Sequence, residues 1–219
     1  MLATLFDFDG VLVDSEPVHL AAFNDVLGAL GVHLGEGEYA AHYLGLDDRG
    51  VFRAALSGKR GSLPDEREVS LLVAAKTKRF LPRFEGAFRV YPGAVDLVVR
   101  RAARAPVAIV SGALRDEIEF ALAKMGVRAA VALVVSAEDA PACKPDPTGY
   151  RLALARLGVP DAVAIEDSLA GVEAAKRAGV RCVAVSHTYP AAELLGAGAD
   201  AVFSDLYALG DVEIDGLRG

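Results

Sequence analysis

Residues 2–15 read LATLFDFDGVLVDS, an apolar run that stops at two aspartates, Asp7 and Asp9, followed by Gly10. A run that does not alternate with polar residues belongs to a strand covered on both faces. Similar runs follow at 106–110 (PVAIV), 131–135 (VALVV), 162–165 (AVAI), 181–185 (RCVAV) and, more weakly, 201–203. Amphipathic stretches of helical length lie between most of them. Residues 114–125 carry Ile118, Leu122 and Met125 on one stripe and stop at Gly126, and 147–157 and 168–178 behave alike. Strand and helix in alternation predict an α/β fold, a doubly wound parallel sheet.

One connection departs from this rhythm. From the first strand to the second the chain spends roughly 90 residues, where a crossover needs about 30. The excess holds helix signals: Ser15 as an N-cap before Pro17, then Leu20, Phe23, Leu27 and Leu30 at three-and-four spacing. Asp47 caps a second helix bearing Val51, Phe52, Ala55 and Leu56. Beyond a loop at 57–62 comes a third with Val69, Leu72, Val73 and Phe80. Residues 15–88 therefore read as an inserted helical cap domain, and 1–14 with 89–219 as the core.

The 219 residues are 53% hydrophobic, ample for a buried core, and carry a formal charge of -7. That balance argues against nucleic acid and anionic membrane as partners, since both call for a basic face. An acidic protein can still take an anionic substrate if a local cation, metal or set of N–H groups reverses the field. Cys143 and Cys182 stand far apart and without metal-ligand spacing, so neither a disulfide framework nor a zinc site is expected. No signal peptide or membrane span is evident, which points to the cytoplasm. Oligomeric state is not written in the pattern, and a monomer suffices.

In open parallel sheets ligands bind beyond the carboxyl ends of the strands. The residues there are Asp7 and Asp9, Ser111, Ser136 and Glu138, and Glu166 with Asp167. Any one of these could merely cap the next helix; their joint placement is harder to attribute to capping. If the first and fourth strands are neighbours, Asp7, Asp9, Glu166 and Asp167 converge. Two carboxylates 4 Å apart repel by roughly 4 kcal/mol at an effective dielectric near 20, so such a group binds a cation or shifts its pKa values. Hard oxygens without His or Cys favour Mg2+. Ser111, with the N–H groups of Gly112 and Ala113, can hold phosphate oxygens, and Lys144 adds a point charge.

The run Asp7-Phe8-Asp9-Gly10-Val11-Leu12-Val13-Asp14-Ser15, then Ser111, then Lys144 in Lys144-Pro145-Asp146-Pro147, then Ile165-Glu166-Asp167-Ser168 with Gly171, resembles the four signatures of the haloacid dehalogenase superfamily in order and spacing. Within it the chain is similar to the branch of β-phosphoglucomutase and phosphoglycolate-type phosphatases, with a Rossmann-like core and a helical cap. The resemblance implies a Mg2+-dependent phosphatase acting on a small phosphate ester through an aspartyl-phosphate. Asp7 would be the nucleophile and Asp9 the general acid and base, with Ser111 and Lys144 completing the catalytic set. Asp7, Asp9 through its backbone oxygen, Asp167 and Glu166 would hold the metal. Gly10, Gly112, Ala113, His19 and Arg49 would contact substrate. The segments 14–16 and 88–93 would be hinges for the cap, and one of Lys76, Lys78 and Arg79 would reach the substrate. A phosphomutase on the same core is the alternative, with Arg49 in the run 45–49 gripping a distal phosphate. A phospho-accepting receiver module is more remote, because receivers have no cap. His187 and Tyr189 read as part of a turn before Pro190.

Overall fold

The computed structural model describes residues 2–44, 46–61, 63–87, 89–140 and 142–216. Gly45, Ser62 and Phe88, which figured in the cap loops and a hinge segment above, lie outside them. By contact density the chain divides into two units, Met1–Asp14 with Arg89–Gly219, and Ser15–Phe88.

In the first unit, β1 (Ala3–Phe6) pairs in parallel with β2 (Val107–Val110) on one side and β4 (Ala162–Glu166) on the other. β3 (Leu133–Val135) lies beyond β2, and β5 (Arg181–Val185) and β6 (Ala201–Phe203) lie beyond β4. The resulting order, β3-β2-β1-β4-β5-β6, reverses direction between β1 and β4. The expected doubly wound sheet is thus the observed one. Its two central strands are buried at every residue, which is why their sequences do not alternate. Helices α5 (Ala94–Ala102), α6 (Arg115–Lys124), α7 (Thr148–Leu157), α8 (Leu169–Arg177) and α9 (Ala191–Gly196) pack on both faces, and α10 (Asp211–Gly216) closes the described chain. Ile118 and Leu122 are fully buried along the expected stripe of α6. Gly126, at φ 70°, takes the left-handed turn after it.

The second unit contains α1 (Glu16–Leu27), α2 (Glu36–His42), α3 (Asp48–Arg60) and α4 (Glu66–Ala87). Phe23, Leu27, Val51, Phe52 and Leu56 form its own core, with Phe23 edge-on to Phe52 at 5.2 Å. Asp47 caps α3 as expected, accepting from the Gly50 N–H at 2.7 Å. Three readings need correction. Ser15 stands at the N-cap position of α1 as expected, but with helical backbone angles and no capping hydrogen bond from its side chain; the Val18 N–H donates to its carbonyl instead. Leu30 is exposed, since the α-helix tightens to a 3-10 turn at Gly28–Leu30 and the apolar stripe rotates away. Residues 57–60 continue α3 to Gly61, whose φ of 69° ends the helix. Helices α2, α5, α9 and α10 were not anticipated; three of them are seven residues or shorter and carry too few turns to show a period.

The core is tied to its C-terminal end by one fully buried guanidinium. Arg101 on α5 donates to Thr4 Oγ1 at 2.9 Å and to the Leu2 carbonyl at 3.1 Å, and pairs with Asp211 at 3.2 Å and Asp215 at 3.1 Å. Removing one partner of a buried ion pair leaves the other charges unsatisfied, which costs about 3 to 5 kcal/mol. Arg101→Ala is therefore expected to lower unfolding free energy by about 3 kcal/mol in urea titration, whereas a change at the exposed Arg79 should cost less than about 0.5 kcal/mol.

Candidate active site

The reversal of strand order opens a crevice at the carboxyl ends of β1 and β4, and the register sets what stands there. Phe6 faces Ile165 across the pair, and the Asp7 N–H donates to the Ile165 carbonyl at 2.9 Å. Asp7 therefore emerges from β1 beside Glu166, which ends β4, and Asp167, which follows it. One oxygen from each of these three buried carboxylates lies within 4.8 Å of the others. The convergence expected from sequence thus holds for three of the four acids. Asp9, half-buried two residues past Asp7, does not bring its carboxyl into that group among the described residues.

Lys144 lies between the acids. Its Nζ donates to Asp7 Oδ1 at 2.7 Å and to Glu166 Oε1 at 2.6 Å, so it is far from the solvated loop lysine that its Pro-rich neighbourhood could have meant. The Tyr150 hydroxyl, from the first turn of α7, donates to the same Glu166 oxygen at 2.6 Å. Glu166 Oε2 accepts from the Asp167 N–H and from Ser168 Oγ, each at 3.2 Å. Both oxygens of Glu166 therefore accept from protein donors, and one of them still lies within 4.8 Å of an Asp7 and an Asp167 oxygen. Gly171 has to be glycine for this to fit, because a Cβ there would lie 2.0 Å from Glu166 Oε2. Gly10, at φ 78°, serves Asp167 likewise: its Cβ would lie 1.9 Å from Asp167 Oδ2.

Electrostatics follow from this crowding. Burial pushes the Asp7 carboxyl up to about 7; the Lys144 charge pulls it down, and Glu166 and Asp9 add to the rise. Burial also raises Asp167 well above the usual carboxylate range, with the Asp7 and Glu166 charges adding to it and the Thr188 hydrogen bond opposing. For Lys144 burial works against the charge, but the Asp7 and Glu166 carboxylates outweigh it and hold the ammonium above its ordinary value. Three acids and one ammonium in so small a space leave an excess of negative charge that a proton or a cation must offset.

The second strand brings Ser111 to the same edge. Its N–H donates to the Val135 carbonyl at 3.0 Å, and its Oγ accepts from the Ala113 N–H at 3.0 Å. The Ala113 N–H expected to face a phosphate is thus turned onto Ser111, a correction to the sequence reading; the close i to i+2 bond is a common alternative for serine. Gly112 is exposed beside them. Ser136 and Glu138 prove to be structural. Ser136 bonds Asp139, and Glu138 accepts from the Arg115 N–H at the start of α6.

His187, read as part of a turn, and Thr188, not singled out in the sequence, belong to the site. His187 Nδ1 lies 2.7 Å from the Gly10 carbonyl, its ring stacked on Tyr91 at 4.0 Å, and Thr188 Oγ1 donates to Asp167 Oδ2. They stand just past β5, so the rule that singled out the ends of the first four strands would have found them if extended by one. Tyr150 had a weaker signal: a tyrosine on the buried side of a helix needs a partner for its hydroxyl.

Within the insert, His19 on α1 packs on Phe80 with ring centroids 4.3 Å apart, and its Nδ1 lies 2.7 Å from Lys76 Nζ. Lys76 is buried and also pairs with Asp48 at 2.8 Å. Burial and the Lys76 charge lower the His19 pKa well below its ordinary value, so the ring is neutral and accepts at Nδ1. Arg49 on α3 pairs with Glu66 and donates to Ser70, both at 3.2 Å. Lys78 and Arg79 are exposed.

Comparison with known proteins identifies the family. A family profile described as haloacid dehalogenase-like hydrolase matches residues 1–179. Protein CbbY of Cereibacter sphaeroides is 34% identical over 217 residues, covering 95% of this chain and 94% of its own. Validoxylamine A 7'-phosphate phosphatase of Streptomyces hygroscopicus subsp. limoneus is 32% identical, covering 92% of each. Among solved structures, a variant of CbbY from Rhodobacter sphaeroides in complex with xylulose-(1,5)bisphosphate superposes with a TM-score of 0.82 at 30% identity, over 98% of this chain and 99% of that one.

The Lys144 bridge can be tested by stability alone. The folded-state pKa of Asp7 lies above its unfolded value of 3.8, so ionising it costs stability progressively from about pH 4 to about pH 7. Lys144→Met removes the charge that limits this cost. Its loss of Tm relative to wild type, in metal-free buffer, is expected to be small near pH 5 and to grow as pH rises toward 8.

Proposed function

The chain belongs to the haloacid dehalogenase-like hydrolases and is a phosphatase of that family, and on that footing we propose that it removes phosphate from a small phosphorylated sugar or polyol, with Asp7 as nucleophile and Mg2+ as cofactor. The observation that carries this reading is the Asp7 carboxylate at the end of β1, held by Lys144 through one oxygen and set beside Asp167.

The donor set fits Mg2+. It consists of hard carboxylate oxygens with no His or Cys among them, and it has more negative charge than Lys144 offsets. Asp7 and Asp167 would hold the ion together with the backbone oxygen of Asp9, while Glu166, its oxygens already engaged, would act through Lys144. Bound there, Mg2+ would neutralise part of the charge of an incoming phosphate and keep Asp7 ionised at neutral pH.

The residues then divide the reaction between them. Lys144 orients Asp7 by its bond to Oδ1. The carboxylate attacks phosphorus, and the bond from phosphorus to the departing oxygen breaks as Asp9 gives that oxygen a proton. In the second half Asp9 takes a proton from a water molecule that attacks the aspartyl-phosphate, releasing inorganic phosphate and restoring Asp7. Ser111 Oγ and the Gly112 N–H would hold the other phosphate oxygens, the Ser111 hydroxyl donating its proton while it accepts from the Ala113 N–H. Residues 15–88 would serve as the cap that selects substrate, with His19 and Arg49 as candidate contacts. The substrate class rests on the relatives: one is named a validoxylamine A 7'-phosphate phosphatase, another a hexitol phosphatase, and a third is in complex with xylulose-(1,5)bisphosphate.

Inorganic phosphate release from a panel of sugar and polyol phosphates, with and without Mg2+, tests the proposal. Activity is expected only with the metal, and Asp7→Asn is expected to reduce kcat by about a thousandfold or more. Isomer formed from a hexose 1-phosphate in place of free phosphate would instead identify a mutase. A second measurement concerns protons. Asp7, at about 7 in the metal-free site, holds a proton below that pH, and binding Mg2+ must displace it. Mg2+ affinity is therefore expected to rise with pH up to about 7 and then level off, with proton uptake by buffer detected calorimetrically below that point.

A further inference from the structure

We infer that the segment just past β5 is a positioning clamp on the catalytic loop: Thr188 sets the orientation of the Asp167 carboxylate for the cation, and His187 holds the Gly10 carbonyl and with it the turn that carries Asp9. This rests on the reading of Asp7 and Asp167 as a Mg2+ site and adds two residues to it.

Three connections meet at this point, from β1, β4 and β5. Gly10 lies so close against Asp167 that no side chain fits between them. On the other side Thr188 Oγ1 donates to Asp167 Oδ2. The carboxylate is therefore wedged, with Oδ2 already accepting a hydrogen bond and Oδ1 left for a metal. Groups that orient a ligating carboxylate in this way commonly control affinity by 10-fold to 100-fold.

His187 acts on the same wedge from the Gly10 side. A carbonyl can only accept, so the 2.7 Å contact assigns the proton to Nδ1. The ring has little freedom to turn away. It lies on Tyr91 with a 10° angle between planes, and the Tyr91 N–H is bonded to the Leu12 carbonyl at 3.0 Å. Gly10 in turn donates its N–H to the Val13 carbonyl at 2.9 Å, while the Leu12 and Val13 N–H groups donate to the Phe8 carbonyl at 2.9 and 3.1 Å and close the turn that contains Asp9. His187 thus fixes a backbone segment on which the placement of the proposed general acid depends.

Mg2+ titration by calorimetry of the whole protein, at fixed pH, is the test for Thr188. Thr188→Val is expected to weaken binding by about tenfold and Thr188→Ser by less than about twofold. Thr188→Ala should match Thr188→Val, which covers the case in which the valine disturbs folding. Wild-type affinity in both Thr188→Val and Thr188→Ala would overturn the inference, as would a loss in Thr188→Ser equal to theirs, since that would mean packing of the methyl group and no role for the hydroxyl. For His187, the informative pair is His187→Phe, which keeps the stack on Tyr91 without a donor, and His187→Asn, which keeps a donor. The first should lower kcat about tenfold at little change in KM, and the second should retain most of the activity; equal losses, or none in His187→Phe, would exclude the donor role. Absence of Mg2+ binding by wild type would sink the metal site and this inference together, whereas binding unaffected by the Thr188 variants would sink the inference alone.

Discussion

A single ammonium between two buried carboxylates is the contact on which the rest of this site depends. Lys144 reaches both Asp7 and Glu166 from a loop that belongs to neither of their strands. Without it, two like charges would face each other in the interior, with repulsion of roughly 4 kcal/mol even at a generous dielectric. The surrounding structure serves to hold that ammonium in place. Tyr150 and Ser168 occupy the remaining valences of Glu166, and Gly171 is bare where a side chain would push the carboxylate aside. The result is a carboxylate at Asp7 that is oriented but not neutralised. It retains a raised pKa and so an appetite for a cation or a proton.

The strand order explains why these groups meet at all. Chain segments leave β1 in one direction and β4 in the other, and only at such a divergence is the end of a parallel sheet left uncovered. Asp7 and the pair Glu166 and Asp167 stand at the two sides of that gap. β2 contributes Ser111 from one neighbouring position, and β5 contributes His187 and Thr188 from the other. Four adjacent strands thus deliver polar side chains to one edge, although the strands themselves are mostly apolar.

Much of this was legible in the sequence because burial on both faces leaves a plain mark. The runs at 2–6 and 106–110 contain β1 and β2, the run at 162–165 covers β4 up to Glu166, and the polar residues that follow the runs are the site. The long interval before residue 106 likewise disclosed the insert. What escaped was decided by partners distant in sequence or by geometry too short to show a period. The seven residues of α2 make less than two full turns, and their sequence EGEYAAH contains only Tyr39 as a large buried side chain. His187 looks like a turn residue because Pro190 lies close after it, and Thr188 carries no mark of its own; their contacts are with Gly10 and Asp167, which a linear reading does not place against them. Ala113 illustrates the opposite error. Its N–H was read as available to ligand on the strength of its position, while the nearer hydroxyl of Ser111 competes for it.

Within the first unit, Asp14 and Arg89 are hydrogen-bonded at 3.1 Å, and Val13 bridges Val90 in antiparallel fashion. The 74 residues of the other unit, Ser15–Phe88, leave and rejoin the sheet-bearing unit at this ribbon. Lengthening a loop whose ends are already pinned adds little entropic cost, about 0.6 kcal/mol for each doubling. Evolution could therefore exchange, enlarge or prune what lies between these two segments without rebuilding the sheet that carries Asp7, and relatives with the same core need share very little of the unit inserted there.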